Sequence, residues 1–294
     1  VLGAQGLDAG ASPLLTVSSC IRIKLKMSSD VLGASEMSRR PQDTEGSASD
    51  GSLNDAAEFC RQQGGSGLSL SSFLLLKYGF VETDIMSAAE YGNLRAVKVL
   101  LKMKGSTQNK LGETALMRAA YGGHPECVKF LLKREGGKRR NNGTTALMYA
   151  ARRGKLESVQ LLLEREGGMK KNNGETALMY AAQYGRRECA EALLDKEGGM
   201  RANSGWTALM HAADNGCSDC VRLLVDKEDG MKTNNGWTAL MHAAQGGHLE
   251  CARLLMDKEK GMQTTREWLG FPPGTTALDI ARRHGHDAIA SLLE

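Results

Sequence analysis

Proline is scarce in this chain of 294 residues, with 5 in all, and aromatic side chains make up only 5%. So little of either argues against a β-sandwich and against a Pro-rich linker protein. Long apolar runs are missing too. The longest, Leu74–Leu76 and Leu161–Leu163, fall far short of the roughly 20 residues that span a bilayer, so no membrane span is expected. Charge is nearly balanced, 38 basic against 34 acidic residues for a net +4. That lacks the concentrated basic footprint of a nucleic-acid binder. Seven cysteines are an odd number, and no secretory leader is evident: Leu14 to Ile21 is weakly apolar but has no basic segment before it and no small-residue cleavage site after it. The thiols are therefore read as reduced and the location as intracellular, in the cytoplasm.

What is present is glycine, 35 residues, in a chain that is 41% hydrophobic and 24% charged. This profile suits helices packed through small residues and joined by many tight turns. The first residue is Val1, and Met27, followed by Ser28 and Ser29, is the expected start, which leaves Val1–Lys26 of uncertain origin.

Self-similarity dominates. Gly-x-Thr-Ala-Leu occurs at Gly112, Gly143, Gly174, Gly205 and Gly236, at intervals of 31 residues, and returns at Gly274 after 38, a seven-residue insertion. Five copies continue as Thr-Ala-Leu-Met-x-Ala-Ala; Thr83–Ala89 is a degenerate copy upstream and Thr276–Arg282 closes the series. Within one unit, Thr145 is placed to cap a helix burying Leu147, Met148, Ala150 and Ala151, and Gly154 to end it. Val159, Leu162 and Leu163 share one face of a second helix, which Glu166-Gly167-Gly168 stops before an exposed turn at Lys170–Gly174. A single helix pair cannot bury its apolar face alone, so the units are predicted to stack into an all-α solenoid.

These residues resemble the ankyrin-repeat family, whose unit reads G-x-T-P-L-H-x-A-A-x-x-G-H before a Leu-Leu second helix. Gly236–His248 matches it nearly position by position, and the resemblance covers about residues 80–294. Ala replaces the family's Pro, Met117, Met148, Met179, Met210 and Met241 replace its His, and the unit is shorter than the usual length of about 33. The Thr-Ala-Leu-Met type is similar to the large ankyrin families of protist parasites. The resemblance implies stacked helix-turn-helix units with exposed turns over 81–294. Residues 274–294 are expected to be a C-terminal capping repeat, with Asp279 and Arg282 in place of apolar residues and a natural end at Glu294. Residues 51–80 contain Asp55-Ala56-Ala57-Glu58, an echo of Ser87–Glu90 that leaves a degenerate unit open, and 1–50 are expected to be disordered.

Several constellations have ordinary explanations. Cys217-Ser218-Asp219-Cys220 has the spacing of a metal or redox pair, yet Cys127, Cys189, Cys220 and Cys251 share one position on the core stripe of the second helix, so no metal site is expected. Nine of the 14 methionines also follow the repeat. His124, His248 and His286 fall in the family's Gly-His position and are read as structural. Gly64–Gly67 lacks the ending of a phosphate loop, and neither kinase strings nor a placed nucleophile occur, so no catalytic residue and no cofactor are assigned. The loop clusters Lys138–Arg140, Arg152-Arg153, Lys170-Lys171 and Arg186-Arg187 leave a positive stripe open, with Glu135, Glu166 and Glu197 close by.

The positions that the repeat does not dictate are the candidates for function. The residue before Ala-Ala and the two following it share an exposed helix face, which in the family lines, with the turn tip, a concave partner-binding groove. That face carries Arg118, Tyr149, Arg152, Tyr180, Tyr184, His211 and His242, and the turn tips carry Trp206 and Trp237, which either serve as exposed anchors or pack on the turn of the next unit. Trp268 and Phe271 in the insertion either bind a partner or fold back on the last unit. The function expected is a non-enzymatic, monomeric module or scaffold that binds protein. The alternative is the regulatory or targeting region of a larger enzyme, such as a kinase, with its catalytic part outside this chain.

Overall fold

The computed structural model describes residues 84–105 and 108–294. The expected disordered segment 1–50 and the degenerate unit at 51–80 lie outside them. The described residues form fourteen helices in seven antiparallel pairs. The first helices of the pairs are α1 (Ile85–Glu90), α3 (Ala115–Gly122), α5 (Ala146–Arg153), α7 (Ala177–Gln183), α9 (Ala208–Asp214), α11 (Ala239–Gly246) and α13 (Ala277–His284). Their partners are α2 (Leu94–Lys104), α4 (Pro125–Glu135), α6 (Leu156–Glu166), α8 (Arg187–Glu197), α10 (Ser218–Glu228), α12 (Leu249–Glu259) and α14 (Asp287–Leu293).

The helices start and stop where side-chain chemistry directs. Thr145, in an extended conformation before α5, accepts the Met148 N–H, which satisfies one of the donors left open at a helix start. Gly154 ends the helix at φ 68°, a conformation that costs a residue with a Cβ more. The buried stripe of α5 is Leu147, Met148, Ala150 and Ala151, all at most 2% exposed, and that of α6 is Val159 and Leu162, at 0%. Each fully buried aliphatic side chain stabilises the fold by about 1.5–3 kcal/mol. The paired alanines let the first helices pack on one another more closely than the second helices do. The array therefore curves, with the first helices on its inner, concave side. The five methionines after Thr-Ala-Leu are core residues, as are Cys127, Cys189, Cys220 and Cys251. Burial pushes the Cys220 thiol up to about 12 and those of Cys189 and Cys251 to about 11, which leaves them protonated and unreactive.

Glu135, Glu166 and Glu197 are not counter-charges of the basic loops, as their neighbourhood in sequence suggested. They and Glu228 and Glu259 are each 1% exposed. Glu166 Oε2 accepts the Leu147 N–H at 2.7 Å and Oε1 accepts the Gly137 N–H of the preceding unit at 3.0 Å. Glu197, Glu228 and Glu259 repeat the arrangement one unit further on each time. One carboxylate thus caps the first helix of its own unit and ties down the loop before it. Burial raises the carboxyls of Glu166, Glu197, Glu228 and Glu259 above their usual range, although the N–H donors pull the other way.

The turns between units form a second ladder. Asn172 Nδ2 donates to the Asn141 carbonyl, Asn203 to that of Asn172, and Asn234 to that of Asn203, at 2.9–3.2 Å. Gly143 lies at φ 87°, and a Cβ there would stand 2.6 Å from the Asn172 side chain. Cations of the supposed stripe belong to this ladder: Arg139 donates to the Lys170 carbonyl at 2.6 Å and Lys170 to the Arg201 carbonyl at 3.0 Å. The histidines of the Gly-His position bridge units as well. His124, His248 and His286 place Nε2 at 2.8–3.1 Å from the carbonyls of Glu90, Asp214 and Gln245 in preceding units.

Candidate partner-binding face

The side chains on the inner face come from two positions of the repeat, the residue before the capping Thr and the residue before Ala-Ala. In sequence order the first is Glu113, Thr144, Glu175, Trp206 and Trp237; the second is Arg118, Tyr149, Tyr180, His211 and His242. The turn-tip position is not the exposed one that was expected. Glu113, Thr144 and Trp237 are 5%, 9% and 1% exposed, and Trp206 is only partly exposed and packed on the core. The chain is extended just before the Thr cap, so this side chain lies along the stack, against the first helices of its own and the next unit.

In the N-terminal part of this face the two positions form closed polar networks. Glu113 accepts from Arg118 at 2.7 Å, from Asn109 at 2.8 Å and from the Tyr149 hydroxyl at 3.1 Å. Arg118 also pairs with Glu90 at 3.2 Å, and Arg140 Nε lies 3.7 Å from Glu113. Burial alone would raise Glu113, but the hydrogen bonds from Asn109, Arg118 and Tyr149 outweigh it and hold the carboxyl below its usual range. Two units further on, Glu175 accepts from the Tyr180 hydroxyl at 2.7 Å and from Lys171 at 3.1 Å, and Lys171 also reaches the Tyr180 oxygen at 2.9 Å. No fully buried side-chain nitrogen or oxygen of these clusters lacks a hydrogen-bond partner.

From Trp206 onward the same positions carry stacked rings. Trp206 lies 4.8 Å from the His211 ring and 4.2 Å from the His242 ring, and Trp237 lies 5.2 Å from His242 and 5.8 Å from Phe271, centroid to centroid. Three of these rings have buried nitrogens without a hydrogen-bond partner: Trp237 Nε1, His211 Nε2, and both nitrogens of His242. His242 is 3% exposed, and its Nδ1 stands 3.6 Å from Asp214 Oδ1, too far for a hydrogen bond. Burial lowers the His211 pKa, against the pull of Glu175 and Asp214. A buried donor or acceptor left unpaired costs about 1–3 kcal/mol.

The insertion before α13 divides its two aromatics. Trp268 and Phe271 exchange backbone hydrogen bonds at 3.0 and 2.9 Å, closing a two-residue turn in which Leu269 and Gly270 have φ of 52° and 76°. Both positive values mark a type I′ hairpin, which glycine adopts readily and leucine does not. Phe271 folds under, 4% exposed, with the Arg283 guanidinium 4.5 Å from its centroid and Arg283 Nη1 donating to the Gly270 carbonyl at 2.7 Å. Trp268 and Leu269 project from the turn, 43% and 58% exposed.

The other candidates fall into place around these clusters. Arg152 is exposed with its guanidinium 4.9 Å over the Tyr184 ring, itself 39% exposed. Arg118, Tyr149 and Tyr180 sit inside the polar networks, His242 and Phe271 in the interior. Trp237 is corrected from an exposed anchor to an interior ring, because the next unit and the insertion cover it. Sequence reasoning missed Arg266 and Leu269. They lie in the insertion, where no repeat register exists to assign them an orientation.

The comparisons agree with this architecture. The model for ankyrin repeats matches residues 85–173, 165–234 and 225–294. Among solved structures, the human ASB11 ankyrin repeat domain is 26% identical, with a TM-score of 0.58 over 72% of this chain and 98% of that one. A chain from the Bd0816 predatory endopeptidase of Bdellovibrio bacteriovorus in complex with immunity protein Bd3460 is 29% identical, with a TM-score of 0.52 over 60% of this chain and 99% of that one. No curated protein matches the sequence significantly. With its repeats, its helix pairs and its family match in agreement, the chain belongs to the ankyrin-repeat family.

Proposed function

We propose that this array is a non-enzymatic scaffold that captures a protein partner along its inner face, as a monomer in the cytoplasm. Ankyrin repeats are in general protein–protein interaction modules, and their fold is typically non-catalytic. One of the similar solved structures is itself a complex of two proteins. No helix among the described residues is long and apolar enough to cross a membrane.

The observation that carries the proposal is the exposed pair Trp268 and Leu269, held out on a strained turn at the one interruption of the array. Exposed large apolar side chains mark interaction surfaces, and aromatic side chains concentrate binding energy at interfaces. Tyr184 beneath Arg152 extends the surface to an earlier unit. The test is capture from native lysate by the wild type, by Trp268→Ala/Leu269→Ala and by Arg222→Ala, which alters an exposed side chain of a second helix, with circular dichroism of all three. Loss of the captured protein in the double variant alone supports the inner face. Equal capture by all three folded proteins sinks the assignment.

A further inference from the structure

The basic clusters of the sequence divide by the turns that carry them. In the turns between units the cations are engaged by the protein: Arg139 and Lys170 by carbonyls of the next unit, Arg140 and Lys171 by Glu113 and Glu175. In the turns that join the two helices of one unit they are not. Arg152, Arg153 and Lys155 lie around the turn from α5 to α6, and Arg186 and Arg187 around that from α7 to α8. The four arginines are exposed, and none of the five cations forms an ion pair with a described residue. Their positions are nonetheless fixed. The Arg152 guanidinium lies 4.9 Å over the Tyr184 ring and that of Arg153 4.7 Å over the Tyr121 ring, each ring in a neighbouring unit. A ring against the face of a guanidinium leaves its N–H edge free to donate. The stems of Lys155 and Arg186 cross Gly123 and Gly154 of the preceding units, where a Cβ would collide with them. One unit later the same register carries Asp214, Asn215, Cys217 and Ser218, and the cluster ends.

We propose that this edge of the inner face binds an extended, acidic segment of the protein partner; the inference rests on the protein-binding function above and adds a second contact to the one at Trp268 and Leu269. Stacked helices of neighbouring units stand about 10 Å apart, and alternate side chains of an extended strand about 7 Å apart. A strand laid along the stack therefore brings two or three carboxylates against the two turns, where the arginine edges offer paired N–H donors. A nucleic acid fits less well. Glu157 and Glu188 stand exposed in the first turns of α6 and α8, and exposed Asp214 and Asp219 follow in the next unit. An unbroken row of phosphates would run against these carboxylates, whereas a peptide can set neutral residues opposite them.

The test titrates labelled decapeptides of alternating Glu-Gly and alternating Gln-Gly, and an oligothymidylate of the same charge as the first, with the full chain at low salt. The Glu-Gly peptide is expected to bind about tenfold tighter than the Gln-Gly peptide and to lose that preference as salt is added. Arg153→Gln/Arg187→Gln is expected to weaken it about fivefold, the size of two exposed ion pairs. Lys129→Gln/Lys133→Gln removes the same charge from α4 and is expected to leave it unchanged. All four positions are exposed, so both variants should keep the circular dichroism of the wild type. Equal binding of the two peptides, equal weakening by the two double variants, or tighter binding of the oligothymidylate each overturns the proposal, the last in favour of nucleic acid. None of these results touches the capture of a partner through Trp268 and Leu269, which falls only if the variant there captures as well as the wild type.

Discussion

The units around Glu113 and Glu175 and the units around Trp206 and Trp237 use the same two positions of the same backbone to opposite ends. In the first, a carboxylate, a tyrosine hydroxyl and a cation close on one another within 3.1 Å. In the second, two tryptophans and two histidines stack and leave four ring nitrogens without partners. A saturated network of this kind stiffens the array. The stack instead seals its ring nitrogens away from solvent without hydrogen bonds, a cost that ring packing has to offset. Repetition of the fold therefore does not repeat the chemistry of the inner face.

What the two regions share produces the largest expected effect. Glu197→Ala should lower stability by about 3 kcal/mol, because it strands buried N–H groups at a helix start and in the preceding loop. Glu197→Gln, which keeps one acceptor, should recover part of this in urea denaturation. A similar loss from Glu228→Ala, in the aromatic region, would show that the difference lies in the face and not in the scaffold.

Next, Tyr149→Phe and His242→Phe set saturated against unsaturated directly. Tyr149→Phe removes a donor from Glu113 and should cost about 1 kcal/mol. His242→Phe keeps a ring between the tryptophans and removes two unpaired nitrogens, so it should cost nothing or stabilise slightly. Matching losses in thermal denaturation would mean that the His242 nitrogens are not orphans in solution.

The smallest effect is one of pH. His211 titrates below its ordinary value of 6.5, so its unfolded form takes up protons first, and its share of stability is complete above 6.5 and lost as pH falls through the window beneath. Glu113 and Glu175 lie below their ordinary 4.5, so their share is complete above 4.5 and lost only below it. The raised glutamates act in the reverse sense, weakening the fold as pH rises above 4.5. With Glu166 and Glu197 in one region and Glu228 and Glu259 in the other, they offset in the comparison. Hydrogen exchange, corrected for its intrinsic rate, should show α9 and α11 losing protection at higher pH than α3, α5 and α7. Simultaneous loss would merge the regions into one electrostatic unit.

Much of the fold was legible because a 31-residue period writes each decision several times over. Threonine caps, alanine pairs, core methionines and the buried cysteine position recur in register, and helical spacing alone assigns them an inward face. The glutamate at the end of each second helix recurs just as regularly. It was misjudged because sequence spacing shows a charged residue beside glycines and not that the helix turns it into the core. The candidate site was less legible. Tyr184 and Trp268 are exposed, but Trp237 and Phe271 are not, and neither periodicity nor composition separates Trp237 from Trp206, one unit away in the same position.

By itself, then, the sequence determined the all-helical solenoid, the number of helix pairs in the described array and the place where its regularity fails. These follow from local propensities and from apolar periodicity, which act through neighbours along the chain. Only the tertiary structure decided which rings are sealed, which carboxylates are buried and which nitrogens lack partners. Those outcomes depend on contacts between units about 31 residues apart, and at the insertion on how a strained turn folds one aromatic inward and leaves the other in solvent.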